Sequence, residues 1–400
     1  MNRETASVEN RWSARTWLER LVEIDTTSRN SNLGLIELAR DYLRSCGLTP
    51  RLTFDRQSAK ANLFCSVPNA HGADRGGWIL SGHTDVVPVD GQDWDTDPFV
   101  PTLVGDRVYG RGTADMKGFI AVVLAQVPAL LKRGPSKPVH IALSFDEEVG
   151  CLGAPMMLED LLASGIGPEG CLVGEPTSLQ VVCSHKEYSV HRCSVTGQPA
   201  HSSVPGAGVN AIEHAADLVQ FIRRLSEELR SNGMVDHGFD VPYSSIQTSL
   251  IHGGSAANIV PGTCQFDFSI RNLPDVEMQS ILDQVRHCAQ ASILPGMKAR
   301  TPSSNITFET LIQVPGLKAD PDSSLFKLLS SLCSDNAIRK VAYGSEAGLF
   351  QRAGIPAVIC GPGDIVRAHR ENEYIELREL DECERLVRSL IRGSTANDQT

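Results

Sequence analysis

The fold of this protein is indicated by the run WILSGHTD at residues 78–85. Three apolar residues, 78–80, are followed by two small residues and then by His83 and Asp85. A short apolar run that ends in turn residues is typical of a strand buried on both faces of a parallel sheet. The histidine and the carboxylate would therefore lie at the carboxyl end of a strand, where open α/β sheets gather their ligands.

The same pattern occurs three more times along the chain. The apolar runs and the polar residues after them are 139–145 with Glu147 and Glu148, 171–173 with Glu175, and 356–360 with His369. Helical patterns lie between such runs; in residues 35–43 the apolar side chains share one face, and Gly47 follows as a stop signal. We therefore predict an α/β fold, a mostly parallel sheet with helices on both faces.

The segment 186–298 has a different character. Residues 264–271 alternate between apolar and polar side chains, which is typical of a strand with one buried and one solvated face. The elements around it follow the order β-α-β-β-α, which fits a small α+β unit of ferredoxin-like type. We predict that this unit is inserted into the α/β domain and divides it into residues 1–185 and 299–400.

Composition limits the classes of partner. The chain has 400 residues and a formal net charge of −11 at pH 7, which argues against binding to a phosphate backbone. The most apolar stretch, residues 119–131, is shorter than the roughly 20 residues that cross a bilayer, and the N-terminus lacks the features of a signal peptide. The 11 cysteines are scattered without a CxxC pair. We expect a cytoplasmic protein with reduced thiols and without nucleic-acid or membrane partners.

A fifth motif is the glycine-rich loop GRGTADMKG at residues 110–118, which places Asp115 near the start of a helix. Each motif alone is weak evidence, since a histidine after a strand is more often structural and Glu147 and Glu148 would also suit a solvated loop. Their co-occurrence at strand ends favours one site. Histidine nitrogens and carboxylate oxygens suit Zn²⁺, and of two adjacent carboxylates one can bind metal while the other accepts a proton from water.

These motifs resemble the signatures of a known family. They are SGHTDVVP (residues 81–88), GRGTADMKG (110–118) and DEEVG (146–150). The family comprises di-zinc deacylases and exopeptidases, including acetylornithine deacetylase, succinyldiaminopimelate desuccinylase, carboxypeptidase G and the aminoacylases, and the likeness covers nearly the whole chain. EPT (175–177), YGSEA (343–347) and GPG (361–363) are most similar to the acetylornithine deacetylase branch. The segment after His369 departs from the usual Gln and Pro, which leaves the substrate side chain open.

The resemblance implies a pair of Zn²⁺ ions per subunit, with Co²⁺ or Mn²⁺ as alternatives. The implied ligands are Asp115 as the bridge, His83 and Glu175 on one ion, and Glu148 and His369 on the other. Glu147 would be the general base and then the acid that protonates the leaving amine. Asp85 would orient the His83 imidazole, although a helix or turn cap is an alternative for Asp85.

The resemblance also implies that the inserted unit is a lid and dimerisation domain. The loop GQPAHSS (197–203) matches a signature in which His201 reaches the site of the partner subunit and stabilises an oxyanion, so a homodimer is expected. Asn258 and Arg271 match positions that bind the α-carboxylate of the substrate, with a surface salt bridge as the alternative for Arg271. We further expect Glu346 to pair with a substrate ammonium group.

The function we expect is metal-dependent hydrolysis of the amide bond of an N-acyl-L-amino acid, with N2-acetylornithine as the first candidate. The alternatives are a broad-specificity aminoacylase, a desuccinylase or a dipeptidase of the same family. A binding protein that has lost the chemistry is a further alternative, but every expected ligand is present in the sequence.

Overall fold

The structure, a computed structural model, describes residues 12–392. The outer ends of the predicted segments 1–185 and 299–400, residues 1–11 and 393–400, lie outside the described residues. The strands are β1 (Arg51–Phe54), β2 (Ala61–Val67), β3 (Trp78–His83), β4 (Thr102–Val104), β5 (Arg107–Tyr109), β6 (Val139–Ser144), β7 (Gly170–Val173), β8 (Val182–His185), β9 (Glu187–Thr196), β10 (Ala200–His201), β11 (Ser245–Gly253), β12 (Ile259–Val260), β13 (Thr263–Asn272), β14 (Asn305–Val314), β15 (Leu317–Lys318), β16 (Arg339–Val341), β17 (Ala357–Ile359) and β18 (Tyr374–Glu376).

The helices separate the strands along the chain. They are α1 (Ala14–Val22), α2 (Leu33–Ser45), α3 (Gly118–Arg133), α4 (Ala154–Ser164), α5 (Ala211–Asn232), α6 (Met278–His287), α7 (Leu294–Arg300), α8 (Ser324–Leu332), α9 (Ala347–Arg352) and α10 (Leu377–Arg392). Shorter helical turns occur at Thr113–Lys117, Pro205–Ala207, Cys288–Ile293 and Ile365–Arg367. The described chain forms two units, of which the second holds His185–Leu317 and Lys340–Gly344 and the first holds the rest.

The large sheet of the first unit has the order β1-β2-β6-β3-β7-β17-β8-β15, with β16 also paired to β8. Its central strands β6, β3, β7 and β17 are parallel, whereas β1, β2 and β8 pair antiparallel with their neighbours. Every residue of β3, β6 and β7 is buried, as expected for parallel strands covered on both faces. The predicted α/β fold is confirmed, and the parallel strands are concentrated at the centre of the sheet.

Helix α3 is the most apolar helix of the first unit. By length and composition the stretch Thr113–Lys132 would be able to cross a membrane, but 78% of its apolar window is buried inside the protein, as in the core helix of a folded domain. Helix α3 contacts β2 and β3 on one side and α1 and α10 on the other. The predicted apolar stretch 119–131 is therefore a core helix in this structure.

The second unit has an antiparallel sheet of order β11-β13-β9-β14. With the shorter elements set aside, its order along the chain is β-α-β-β-α-β, the arrangement of a ferredoxin-like unit. The apolar residues of β13 are buried against helices α5 and α6: Cys264, Phe266, Phe268 and Ile270. The inserted α+β unit predicted from the alternating pattern is thus confirmed.

The boundary of the second unit differs from the prediction. The unit extends to Leu317 and not to residue 298, because β14 pairs with β9 along its length, from Asn305 opposite Thr196 to Val314 opposite Tyr188. The sequence of β14 alternates between polar and apolar residues over 305–309, but an irregularity in the pairing with β9 between Thr310 and Ile312 interrupts this pattern. A later segment, Lys340–Gly344, also belongs to this unit.

Candidate metal centre

Three of the predicted site segments follow neighbouring parallel strands. His83 is the last residue of β3; Glu147 and Glu148 follow β6, and Glu175 follows β7. Strand β3 lies between β6 and β7, and both pairings are parallel. The carboxyl ends of parallel strands meet at one edge of the sheet, so these side chains are brought to the same place.

The five residues predicted as ligands form two groups that share Asp115. His83, Asp115 and Glu175 make the first group and Asp115, Glu148 and His369 the second; in each, one ligand atom per residue lies within 4.8 Å of the others. Nε2 of His83 is 3.0 Å from Oδ1 of Asp115, and Nε2 of His369 is 3.3 Å from Oδ2 of Asp115. Each oxygen of Asp115 therefore faces a different histidine, which is the geometry of a carboxylate that bridges a pair of cations.

The donor set fits metal ions. Oε1 of Glu175 is buried and has no hydrogen-bond partner among the described residues, although Nε2 of His83 lies 3.9 Å away. A buried carboxylate oxygen without a donor is costly unless something positive binds it. In the second group, Nε2 of His369 is 3.0 Å from Oε2 of Glu148. Imidazole nitrogens and carboxylate oxygens without thiolates suit Zn²⁺ and similar divalent ions.

The carboxylates of the centre are crowded and buried. Burial raises the pKa of Glu147 to about 8, with Glu148 and Asp85 contributing in the same direction. Burial and the nearby Asp115 raise the pKa of Glu148 to about 7, and the same two causes raise the pKa of Glu175 well above its ordinary value. Without metal ions, such a cluster retains protons to limit its negative charge.

The pKa values of the two histidines are raised by the neighbouring carboxylates. Hydrogen bonds to Asp115 and Glu148 raise the pKa of His369 to about 10. Burial opposes charge on His83, yet the hydrogen bond to Asp115 and the nearby Glu175 raise its pKa well above the ordinary value. Burial likewise opposes charge on Asp115, but His369 and His83 lower its pKa. In the metal-free protein, protons on the two histidines supply the positive charge that divalent cations would supply when bound.

Asp85 contacts the turn that carries Glu147 and Glu148. Its Oδ1 accepts a hydrogen bond from the backbone amide of Glu147 at 3.0 Å, and its Oδ2 accepts one from the amide of Glu148 at 3.2 Å. Ser28 donates its hydroxyl to the same Oδ2 at 2.7 Å. Nδ1 of His83 lies 2.9 Å from the backbone oxygen of Asp85 and 3.7 Å from its carboxylate. The predicted carboxylate–imidazole contact is thus the longer one, and the carboxylate holds the turn of the acidic pair.

Comparison with known proteins agrees with this geometry. A model of peptidase family M20/M25/M40 matches residues 79–393. The chain belongs to this family. The match includes every residue of both ligand groups.

Similar proteins within the M20 family indicate the kind of reaction. The chain is 32% identical over 371 residues to the acetylornithine deacetylase of Proteus mirabilis (strain HI4320), covering 92% of each chain. It is 33% identical over 362 residues to that of Salmonella arizonae (strain ATCC BAA-731 / CDC346-86 / RSK2980), covering 90% of this chain and 91% of the relative. The protein is therefore a metal-dependent amidohydrolase that acts on a small N-acyl amino acid or peptide.

Solved structures show the same fold. An M20 family metallo-carboxypeptidase from Sulfolobus solfataricus superposes with a TM-score of 0.73 at 17% identity, covering 95% of this chain and 98% of the other. The YXEP protein of Bacillus subtilis, described as a dinuclear metal binding peptidase of the M20 family, gives a TM-score of 0.66 at 13% identity, covering 94% and 96%. At identities of 17% and 13%, these comparisons show a shared fold.

Glu346 has contacts that differ from the predicted role. It is fully buried, and its two oxygens accept hydrogen bonds from the hydroxyls of Ser81 at 2.6 Å and Ser144 at 2.7 Å. Burial raises the pKa of this carboxyl despite the two donors. Both oxygens are in use and no surface is exposed, so these contacts argue against pairing with a substrate ammonium group.

The remaining predicted residues lie in the second unit of this M20 chain. His201 and Asn258 are exposed, and the short strands β10 and β12 bring their loops together, with His201 opposite Ile259. Arg271 is half-buried on β13, and its guanidinium lies 3.9 Å from the centre of the Tyr188 ring. Among residues 12–392, no carboxylate pairs with Arg271, so the alternative of a surface salt bridge is not observed.

Two lysines near the centre, of which Lys117 is buried and Lys60 partly buried, were not singled out from the sequence. Nζ of Lys117, which is fully buried, donates to the backbone oxygens of Leu21 at 3.0 Å and Ile24 at 2.9 Å. Nζ of Lys60 lies 2.5 Å from Oδ1 of Asp146, the residue before the acidic pair. Lys117 belongs to the glycine-rich motif, and this position in the motif is the only signal that would have pointed to it. Lys60 carries no such signal.

Proposed function

We propose that this M20 amidohydrolase removes the acyl group from an N-acyl-L-amino acid, with N2-acetylornithine as the first substrate to test. The proposal of hydrolysis rests on the arrangement of Asp115, whose two oxygens face His83 and His369. The choice of substrate is supported by relatives named acetylornithine deacetylase that align over about nine-tenths of the chain.

We propose a pair of Zn²⁺ ions at the two ligand groups, with Co²⁺ or Mn²⁺ as alternatives. When bound, the ions would polarise the acyl carbonyl and make water a stronger acid. His83 and Glu175 would hold one ion and Glu148 and His369 the other, while Asp115 would bind both. The unpartnered oxygen of Glu175 supports this assignment, because a cation would satisfy it.

Glu147 is the proposed proton carrier. It would accept a proton from the attacking water and then give it to the leaving amine, as one carboxylate can do in two successive steps. Its neighbour Glu148 contacts His369, whereas Oε1 of Glu147 accepts a hydrogen bond from Sγ of Cys151 at 3.4 Å and none from a histidine among the described residues. The amide of Glu147 donates to Asp85, which fixes the turn.

Substrate binding is assigned to the second unit. Arg271, stacked on Tyr188 and without a carboxylate partner among the described residues, would bind the α-carboxylate together with Asn258. His201 would donate a hydrogen bond to the oxyanion from the partner subunit, which makes a homodimer part of the proposal. The exposure of His201 and Asn258 on adjoining loops is consistent with this role. We also propose a reducing, cytoplasmic location, supported by the free thiols of all 11 cysteines.

The deciding experiment is turnover of a substrate panel by the metal-loaded protein, with metal content measured on the same sample. The panel contains N2-acetylornithine, N-acetyl-leucine, N-acetyl-methionine, an N-succinyl amino acid and a dipeptide. We expect the highest kcat/KM for N2-acetylornithine. Faster hydrolysis of the neutral acetyl amino acids would contradict the proposed substrate and favour a broad-specificity aminoacylase. Absence of hydrolysis for every member of the panel would overturn the proposed chemistry.

A further inference from the structure

A buried carboxylate, Glu373, lies beneath the loop that carries Asp115. Its Oε1 accepts hydrogen bonds from the backbone amides of Ala114 at 2.9 Å and Asp115 at 3.1 Å. Its Oε2 accepts from the amide of Gly112 at 3.1 Å and from Nη1 of Arg111 at 2.7 Å. The side chains of Glu373 and Arg111 are each 1% exposed. One carboxylate thus binds three amides of the bridging loop and one guanidinium.

The backbone of this loop explains why it needs an anion. Gly112 has a left-handed conformation with φ of 83°, and Asp115 and Met116 have non-helical backbone angles inside the turn. Amides in such a turn have no regular partners of their own, and successive N–H groups on one side form a concavity that binds anions. Glu373 supplies that anion from within the protein, and Arg111 balances its charge.

The same network reaches the segment of His369. Nη1 of Arg111 also donates to the backbone oxygen of Arg370 at 3.2 Å, and its Nη2 donates to Oε1 of Gln92. Nε2 of Gln92 in turn donates to the backbone oxygen of His369 at 2.8 Å. His369 has a left-handed backbone with φ of 63°, which a non-glycine residue adopts at a cost unless its surroundings hold it.

We propose that Glu373 and Arg111 are positioning residues that set the placement of Asp115 relative to His369, and so shape the metal group that these two residues share. Asp115 and His369 are far apart in sequence, and neither lies on a parallel strand of the large sheet. The Glu373–Arg111–Gln92 network links the bridging loop to the His369 segment through hydrogen bonds that are buried at Glu373 and exposed at the contact between Gln92 and His369. The proposal rests on metal ions at the two groups and not on the identity of the substrate.

Removal of the anion tests the proposal. In Glu373→Gln the side chain keeps its size but loses its charge, so one of its two oxygens is replaced by an amide NH2 group that cannot accept hydrogen bonds from the loop amides. Changes to groups that orient metal ligands lower metal affinity by about 10–100-fold. We expect such a loss for the ion at Asp115, Glu148 and His369, with a smaller loss for the ion at His83.

The measurement is a titration of the metal-free protein with Co²⁺, followed by the visible d–d absorbance and by calorimetry. The matched control is Glu376→Gln, three residues further on, whose carboxylate pairs with Arg107 and Arg378 and not with the bridging loop. The control is expected to bind both ions as the wild-type protein does. Circular dichroism and thermal unfolding establish that each variant is folded.

A second variant keeps the test decisive if Glu373→Gln does not fold. Gln92→Ala removes the contact to the backbone of His369 and leaves Glu373 on the loop amides. It is expected to weaken only one of the two ions and to alter only the corresponding part of the Co²⁺ spectrum. Wild-type affinity and spectrum in folded Glu373→Gln, or in Gln92→Ala, would overturn the proposal, as would equal losses in Glu376→Gln. A wild-type protein that binds no Co²⁺ would overturn the metal centre itself.

Discussion

The two histidines of the centre are held in different ways. His83 ends a parallel strand, its side chain is 1% exposed, and its Nδ1 contacts the backbone of Asp85 two residues further on. His369 lies on a loop, its side chain is 52% exposed, and its backbone is held by Gln92 from a distant part of the sequence. One half of the centre is therefore built on the sheet, and the other half depends on a loop and on remote hydrogen bonds.

The two proposed ions therefore do not depend equally on the fold. The strand ends that carry His83 and Glu175 cannot move without disturbing the core of the first unit. The loop of His369 can move if its hydrogen bonds are lost. We therefore expect the ion at His369 to bind more weakly than the ion at His83.

The largest expected effect is that of Glu147→Gln, because Glu147 is the proposed proton carrier and is assigned to neither ion. The substitution removes the proton carrier, and general acid–base catalysis contributes about 10²–10⁴-fold. We expect kcat to fall by that factor while two metal ions remain bound, as measured by steady-state kinetics and metal analysis. Near-normal kcat with both ions present would remove Glu147 from the chemistry.

The histidines themselves give the next largest effect. His83→Ala creates a cavity and leaves Oδ1 of Asp115 without its imidazole donor, which costs roughly 2–4 kcal/mol in the free energy of unfolding. His369→Ala removes a side chain that is 52% exposed and leaves a smaller cavity, so it is expected to lower that free energy by less than His83→Ala does. It should nevertheless lose one bound ion.

Urea unfolding of the metal-free variants, together with metal analysis, checks this contrast. Equal losses of stability in the two variants would show that the strand and loop halves are built alike. Retention of both ions in His369→Ala would remove that histidine from the ligand set.

The pH dependence of the metal-free protein is a third test. The pKa of Glu147 is raised from 4.5 to about 8 and that of Glu148 from 4.5 to about 7, so the folded chain holds these protons more tightly than the unfolded chain. The stability they contribute is complete below their unfolded pKa and is lost as pH rises through about 7 to 8. His369, raised from 6.5 to about 10, loses its contribution at higher pH still.

We therefore expect the Tm of the metal-free protein to fall as pH rises from about 5 to about 9. Saturating Zn²⁺ should flatten this dependence, because the cations replace the protons. Scanning calorimetry with chelator and with Zn²⁺ provides the two curves. Parallel curves would mean that the ions bind outside this cluster.

Ser28→Ala is expected to have the smallest effect. It removes the hydroxyl that donates to Asp85 at 2.7 Å, a contact worth about 0.5–1.5 kcal/mol. The two amide contacts to Asp85 remain, so we expect kcat to fall only a few-fold. The control is Ser31→Ala, whose hydroxyl donates to the backbone oxygen of Ala59 at an exposed position. Kinetics indistinguishable from this control would show that Ser28 does not support the acidic turn.

The sequence predicted the strand half of the centre because the relevant signals are local. An apolar run followed by His83 or Glu175 identifies a strand end, and parallel pairing then brings such ends together. His369 was also placed after an apolar run, 356–360, but it lies nine positions beyond the end of that run, and its role as a ligand came from family resemblance. The network of Glu373, Arg111 and Gln92 was not predicted, because hydrogen bonds to loop amides depend on backbone angles that composition does not reveal.

Two of the predictions differ from the structure. Strand β14 alternates in sequence only over residues 305–309, because an irregularity in its pairing with β9 between Thr310 and Ile312 interrupts the pattern, and the signal is therefore short. Glu346 was expected at the substrate because a carboxylate suits an ammonium group. The hydroxyls of Ser81 and Ser144, on two neighbouring strands, bind it instead, and such a meeting of distant hydroxyls leaves no trace in the sequence.

The contact between Asp85 and the acidic turn has a consequence for the length of that turn. The two oxygens of Asp85 bind the amides of two consecutive residues, so they fix the positions that Glu147 and Glu148 take in the turn. Insertion or deletion of a single residue between Ser144 and Glu147 would shift the chain by one position against Asp85, so that Asp146 or Val149 would replace one member of the acidic pair. Homologous enzymes that keep the same chemistry should therefore tolerate substitutions in this connection but no change in its number of residues.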